Sequence, residues 1–330
     1  MKAITYTKYG SPDVLKFQDV EIPSPLDDEV LVEVHAASMN AFDWHFLTAD
    51  IFLIRLMGGL IKPKNQILGA DIAGKVIAVG KKTTQFHVGD EVFGGAKANK
   101  GGFAEYVCAN EGSLQLKPAN VTFEAASTAS MAAVTALQGL RDQGQIKQGQ
   151  KVLIHGASGG VGTFSIQIAK TYGAIVTAVC SSGNVETARS LGADHVIDYT
   201  KEDFSQDGKL YDLIYVANGD LPVSKYQKAL KRGGICVLSG GGSGSIFGLL
   251  FGMLQEWWIL KTEKKKISSF MTSNNQKDLS YINELLASGK VKPVIDRRYP
   301  LSETADAFRY LGEGHAKGKI VITVKNKRKR

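Results

Sequence analysis

KVLIHGASGGVGTFSIQIAKTYG, residues 151–173, decides the fold. Val152, Leu153 and Ile154 make a short continuous apolar run, as in a strand buried on both faces. A glycine-rich turn, HGASGGVG (155–162), follows at once, and the residues after it read as a helix up to Gly173. A second apolar run, AIVTAVC (174–180), completes a strand–turn–helix–strand unit. Glycines in such a turn let the backbone approach a pyrophosphate, whose charge is stabilised by free N–H groups and the positive end of the helix. Ser158, Gly159, Gly160, Val161 and Gly162 are the expected contacts. Ala157 stands where a strict GxGxxG pattern has its first glycine, and a turn taken alone fits a tight bend equally well. The flanking strands, the second ending at Cys180 roughly 20 residues on, favour a dinucleotide.

Outward from this unit the alternation of apolar strands and helices continues. NVETARSLG (184–192), HVIDY (195–199), YDLIYVA (211–217), a helix near 225–230 and GGICVLSGG (233–241) extend it into a doubly wound parallel sheet. Towards the N-terminus the pattern changes to short valine-rich strands such as EVLVEVHAAS (29–38) and IAGKVIAVG (72–80), which imply a barrel-like β domain. At the far end, 301–311 reads as a helix opened by Ser302, and KGKIVITV (317–324) as a strand that returns to the first domain.

The chain's 330 residues, 44% hydrophobic and 22% charged, are the balance of a globular protein of two domains. Residues 1–20 read as polar-interrupted strands and not as a leader, so a cytoplasmic protein is expected. Cys108, Cys180 and Cys236 are far apart and read as reduced, buried thiols. Of the net charge of +8, five charges fall in the last six residues, KNKRKR, so no nucleic-acid partner is expected. The apolar segment 245–261 has about 15 apolar-dominated positions where a spanning helix needs about 20. It reads as a buried helix, although together with the basic tail it leaves peripheral membrane contact open.

The strand ending at Cys180 also bears on cofactor choice. An NAD enzyme usually ends it with a carboxylate on the ribose hydroxyls, whereas Ser181 and Ser182 follow here, so NADPH is expected over NADH. Both serines equally fit a helix cap.

These residues resemble the medium-chain dehydrogenase/reductase superfamily, in its quinone oxidoreductase and zeta-crystallin branch, over nearly the whole chain. The passages that carry the resemblance are VLVEVHAASMNAFDWH (30–45), LGADIAGKVIAVG (68–80), VLIHGASGGVGTFSIQIAK (152–170), ARSLGADHVIDY (188–199) and GHAKGKIVI (314–322). It implies an α/β protein with a discontinuous, β-rich GroES-like catalytic domain (1–124 and 298–330) and a doubly wound Rossmann domain for NADP (125–297). It also implies a homodimer and a cleft where substrate meets nicotinamide. In the zinc-dependent alcohol dehydrogenases of the superfamily, a Cys before an acid and a GHE triplet supply zinc ligands. The matching stretches here are NAFD (40–43) and GAD (69–71), with Asn40 and Ala70 at two ligand positions. Neither replaces a thiolate or imidazole, and 94–106 lacks the cysteines of the structural zinc lobe, so no metal site is expected.

Without a Lewis acid, the expected substrates are those that accept hydride readily, namely quinones and α,β-unsaturated or otherwise activated carbonyls. Two other readings stay open: an alcohol dehydrogenase-like activity on simple alcohols or aldehydes, and a non-catalytic NADPH-binding sensor or structural protein. Asn40 is the expected hydrogen-bond donor to the substrate oxygen. His45, five residues on where the branch has a Tyr, is the expected proton donor. Alternatively, Trp44 and His45 lie on a loop packed against FLIRLMGGLI (52–61), itself within an expected loop over 49–64, and Asn40 bonds its own backbone. Asp43 is expected to be structural. The resemblance places Thr135 near the nicotinamide, Tyr199 near the adenosine phosphate, and Asn218 and Gly240 along the cleft. For Tyr199 simple packing is the alternative, and Lys201 is a candidate to compensate for the missing basic residue after Cys180. Phe46, Phe52, Leu56, Met57, Trp257 and Trp258 are the expected apolar lining for lipid-derived carbonyls or substituted quinones.

Overall fold

EVLVEVHAAS forms β3 (Glu29–Ser38) of the computed structural model, which describes residues 1–96, 101–206, 208–219, 221–239 and 265–325. Eight of its ten residues are buried, because it is the central strand of its sheet. β4 (Asp71–Val79) pairs along its length, β6 (Tyr106–Asn110) pairs with its first half, and β15 (Lys319–Thr323) with its end. The sheet runs β14 (Ile295–Pro300), β15, β3, β4, β5 (Glu91–Gly95), β7 (Leu114–Leu116), with β6 off this path. Only the β14–β15 pair is parallel. β1 (Lys2–Thr5) and β2 (Lys16–Asp19) form a separate antiparallel pair. Val30, Val32, Val34, Ile72, Val76 and Ile320 fill the core with Phe103 and Phe308, whose rings meet edge to face at 5.9 Å.

The expected strand–turn–helix–strand unit is β8 (Lys151–His155), helix α5 (Gly160–Thr171) and β9 (Ile175–Cys180). It lies in a six-stranded parallel sheet ordered β10 (His195–Asp198), β9, β8, β11 (Tyr211–Val216), β12 (Leu230–Ser239), β13 (Lys266–Phe270). Strand order reverses direction between β8 and β11, and in such sheets ligands bind outside the carboxyl ends of the strands at this point. His155, the last residue of β8, stands there, and its carbonyl accepts the N–H of Ala217 after β11.

The remaining α-helices among the described residues are α1 (Ala41–Thr48), α2 (Phe52–Gly58), α3 (Phe123–Ser127), α4 (Ser130–Gln138), α6 (Val185–Ser190), α7 (Val223–Ala229), α8 (Gln276–Ala287) and α9 (Thr304–Gly312). The chain divides into two compact units: Met1–Val134, Asn274–Gly289 and Pro293–Arg330 form one, and Thr135–Ser273 with Lys290–Lys292 the other. The first unit is thus built from both chain ends around the β-rich sheet, and the second carries the parallel sheet. These boundaries differ from 124/125 and 297/298. Residues 125–134 stay with the first unit, where the Met131 N–H donates to Asp71 at 3.1 Å. Residues 274–289 stay with it too, tied by the Asn120 amide on the Ala287 carbonyl at 3.0 Å. Residues 290–292 join the second unit because Gln167 clamps Lys292, accepting its N–H at 2.8 Å and donating to its carbonyl at 3.0 Å.

Three local expectations are corrected. Trp44 and His45 lie on α1, not on a loop; Asp43 accepts the Asn40 N–H at 2.9 Å and so closes the helix start with a carboxylate on its positive end. Residues 52–58 are helical where a loop was expected. The last helix opens at Thr304 and not at Ser302, because a 3-10 turn over Leu301–Glu303 precedes it and the Thr304 hydroxyl bonds back to the Leu301 carbonyl.

Candidate functional site

In the second unit the glycine turn is shaped by contacts that exclude side chains. Gly162, in the first turn of α5, lies so close to the glycine turn that a Cβ there would stand 2.2 Å from the Gly156 carbonyl oxygen and 2.7 Å from Ala157 Cα. Gly156 itself has φ +73 and would place a Cβ 2.5 Å from the Asn218 carbonyl. Gly159, the residue before α5, has φ −77 and meets only the Gly156 oxygen at 3.6 Å, so its own surroundings leave room for a methyl. Gly156 therefore does the turning that the GxGxxG pattern assigns one position later, which the sequence reading missed. The N–H groups of the first turn of α5 and the close approach of backbone suit a pyrophosphate. Asn218 is exposed, and its carbonyl accepts from His155 Nδ1 at 3.0 Å. Burial holds the His155 imidazole below its usual pKa, which favours the neutral ring.

At the carboxyl ends of β9 and β10 the serines have partners within the unit. The Ser182 hydroxyl donates to Asp198 at 2.5 Å, and Ser181 accepts the Asn184 amide at 2.9 Å. Hydroxyls of Ser182 and Thr200 hold the Asp198 carboxyl well below the usual carboxylate range. Lys201 stands 3.2 Å from Asp198, with its side chain 73% exposed. Tyr199 is exposed, as a residue open to a ligand would be. Cys180 is buried, and burial pushes its thiol up to about 11, which makes it unreactive. Thr135 pairs with the Thr272 hydroxyl at 2.7 Å, and its carbonyl accepts from Tyr215. Gly240 and segment 245–261, with Trp257 and Trp258, lie outside the described residues, as does the tail from 326 on.

In the first unit Asn40 is held in a buried polar network. Its amide nitrogen donates to Asp71 Oδ2 at 3.1 Å and faces the Ser38 carbonyl at 3.5 Å, while its amide oxygen accepts from the Lys319 ammonium. Asp71 also accepts from Ser38 and from the Met131 N–H. Asp43 takes three backbone N–H groups, those of Asn40, Gly69 and Ala70 at 2.9, 3.0 and 3.2 Å. Burial still dominates for Asp43, pushing its carboxyl up to about 6. Burial likewise raises Asp71 and lowers Lys319, each opposed by the other's charge. The sequence reading missed Lys319 and Asp71; the one visible signal is a lysine opening the otherwise apolar strand KIVIT.

His45 is apart from this network, near the other end of α1. Its Nδ1 lies 2.9 Å from Asp50, which orients the ring and turns Nε2 away from the pair. Trp44 lies instead against Gly312 of α9, where a Cβ would meet its ring at 2.4 Å. Phe46 is buried in the core and lines no open surface, whereas Phe52, Leu56 and Met57 are each at least half exposed.

Alcohol dehydrogenase GroES-like domains match residues 26–119 and zinc-binding dehydrogenases match residues 191–322. The chain belongs to the medium-chain dehydrogenase/reductase superfamily, in its quinone oxidoreductase branch. It is 36% identical over 98% of its length to 2-methylene-furan-3-one reductase of Solanum lycopersicum, spanning 79% of that protein. The figures for the chloroplastic NADPH-dependent alkenal/one oxidoreductase of Arabidopsis thaliana are 34%, 98% and 79%. The quinone oxidoreductase of Coxiella burnetii superposes with a TM-score of 0.86 at 32% identity, over 98% of this chain and 99% of that one. Although one matching family is described as zinc-binding, no group of His, Cys, Asp and Glu among the described residues is arranged to hold a metal ion. Nor is any helix among them long and apolar enough to cross a membrane.

Proposed function

We propose that the protein reduces quinones or α,β-unsaturated carbonyl compounds with NADPH and without zinc. The observation that carries this reading is the Asn40 amide, held by an ammonium on one side and a carboxylate on the other, at a position that the resemblance matches to a zinc ligand of the metal-dependent relatives. Support also comes from the relatives named as enone and quinone reductases. The residues of the glycine turn fit a dinucleotide, since Gly156 and Gly162 bring backbone close where a Cβ has no room. Bound there, NADPH supplies the hydride.

The protein's own part is to bind and to steady charge. Gly159, Gly160 and the start of α5 take the pyrophosphate, while Tyr199, Thr200 and Lys201 at the end of β10 favour a 2′-phosphate. Asn40 Nδ2 donates to the substrate oxygen as negative charge develops on it, a contribution worth about 3–4 kcal/mol in well-built oxyanion sites. His45, oriented by Asp50, is the proton donor to the resulting enolate or phenolate. Phe52, Leu56 and Met57 supply apolar surface for a long or substituted substrate. A homodimer in the cytoplasm completes the reading, and light scattering on purified protein tests the dimer.

The deciding experiment follows NADPH absorbance in chelator-treated protein given benzoquinone, a long-chain 2-alkenal or a simple ketone, and repeats it with NADH. Turnover of the quinone or alkenal with NADPH preferred is expected. Loss of activity on chelation, regained with zinc, would overturn the metal-free reading; tight NADPH binding without turnover would favour a sensor, and preference for the simple ketone an alcohol dehydrogenase-like enzyme.

A further inference from the structure

The first unit buries an ammonium and two carboxylates that hydride reduction does not by itself require. The Lys319 side chain is 3% exposed and that of Asp71 1%. Desolvating such ions costs several kcal/mol each, and a well-packed apolar pair of similar volume is often no less stable. Stability alone is therefore a poor reason for Lys319 to stand at the start of a strand whose next three residues, Ile320, Val321 and Ile322, are at most 1% exposed.

What the pair does that apolar side chains cannot is fix an amide. The oxygen and nitrogen ends of asparagine have nearly the same shape, so packing barely distinguishes one orientation from its flip; hydrogen bonds must do so. The Lys319 ammonium has only donors and the Asp71 carboxylate only acceptors. Lys319 gives one N–H to the Met39 carbonyl at 2.8 Å and one to Asn40 Oδ1, and lies 3.7 Å from Asp71 Oδ2. With Asp71 on the amide nitrogen, the flipped Asn40 would set donors against the ammonium and oxygen against the carboxylate. A single orientation is left, with Nδ2 as the donor end.

The two hydrogens on Nδ2 are unequal. One is spent on Asp71 at 3.1 Å, while the other faces the Ser38 carbonyl at 3.5 Å, the outer limit of a hydrogen bond. In the reading proposed above, it is this weaker contact that a substrate oxygen would replace. A cation on the amide oxygen also draws electron density from the nitrogen and makes its N–H a stronger donor.

We propose that Lys319 is a positioning residue for the reduction: paired with Asp71, it locks the Asn40 amide with Nδ2 as donor and strengthens that donor towards the substrate oxygen. The proposal rests on the reading of Asn40 given above.

The test is a double-mutant cycle in the full chain. Asn40→Ala is combined with the charge-neutral pair Lys319→Met/Asp71→Asn, in which residue 71 still accepts from Asn40 and the two opposite charges are removed together. Steady-state kinetics with NADPH and a 2-alkenal, NADPH binding and thermal midpoints are measured for each. The neutral pair should lower kcat at least tenfold, with NADPH affinity within about twofold of wild type. In the Asn40→Ala background it should cost no further activity, whereas a merely structural role would cost activity in both backgrounds. If the neutral pair does not fold, Lys319→Gln takes its place, keeping a donor to Asn40 without the charge, with the same expectation. Full activity of the neutral or Gln variant, or an equal further loss without Asn40, would overturn the proposal and leave the Asn40 reading intact. Wild-type turnover by Asn40→Ala would overturn both.

Discussion

Replacing Gly162 by alanine tests whether the turn before α5 is built by backbone contact. The added methyl would meet the Gly156 oxygen at 2.2 Å and Ala157 Cα at 2.7 Å, and both are backbone atoms that cannot swing aside as the end of a side chain can. Overpacking of this kind costs about 1–3 kcal/mol. At about 2–4 °C per kcal/mol for a chain segment of this size, the thermal midpoint should fall by roughly 2–12 °C. Because the helix start must move away from the turn, NADPH affinity should fall at least tenfold as well. Gly159→Ala is the control. Its φ of −77 suits any residue and its nearest contact is 3.6 Å, so its midpoint should stay within about 1 °C while NADPH affinity still drops, since a backbone that approaches a pyrophosphate leaves no space for a methyl. Differential scanning fluorimetry and quenching of tryptophan fluorescence by NADPH read the two quantities separately. A Gly162→Ala protein with wild-type midpoint and wild-type NADPH affinity would refute the reasoning, and wild-type NADPH affinity in Gly159→Ala would remove the dinucleotide from this turn.

Lys201→Ala should weaken NADPH binding about tenfold and leave NADH binding unchanged, as a charged hydrogen bond to phosphate is worth about 1.5–3 kcal/mol; equal losses for both nucleotides in titrations would count against Lys201 as the phosphate residue. Asp43 should give the fold a pH dependence opposite to that of an ordinary salt-bridged carboxylate. Its pKa is raised from 3.8 to about 6, so the native state binds a proton that the unfolded chain has already released between those values. Its contribution to stability is full below about 3.8 and is lost as pH rises through about 6, so urea midpoints of Asp43→Asn should change less steeply than wild type across that window; an unchanged slope would mean the buried carboxyl is ionised throughout. Phe308→Ala, which removes a ring with 0% exposure from contact with Phe103, should cost about 3–5 kcal/mol in urea unfolding, and a cost under about 1 kcal/mol would show that this part of the core collapses around the gap.

The parallel sheet was legible because its signals are local. Val152, Leu153 and Ile154 are an unbroken apolar run, the turn follows at once, and the next strand ends at Cys180 as the spacing requires. β3 was legible for the same reason. The helix at Ala41–Thr48 was hidden because Asn40 and Asp43 cap it through a backbone N–H and a side chain, while its apolar residues are spread around the helix and show no one-sided period. Gly156 escaped notice because the pattern was read by position, whereas the turn is set by which residue adopts positive φ. The Asn40 network was beyond reach for a different reason. Lys319 and Asn40 are 279 residues apart and meet only because β15 pairs with the end of β3, and no periodicity in either segment announces that pairing.

That separation has a consequence for how the protein is made. At about 5–20 residues per second, roughly 15–55 s pass between synthesis of Asn40 and of the lysine that completes its surroundings. The whole of Thr135–Ser273 emerges in the interval, so nearly all of the second unit can fold while the first unit still has the end of β3 uncovered and Asp43 and Asp71 without their counter-charge. Nascent chains arrested before residue 319 should therefore hold NADPH before they can hold a substrate.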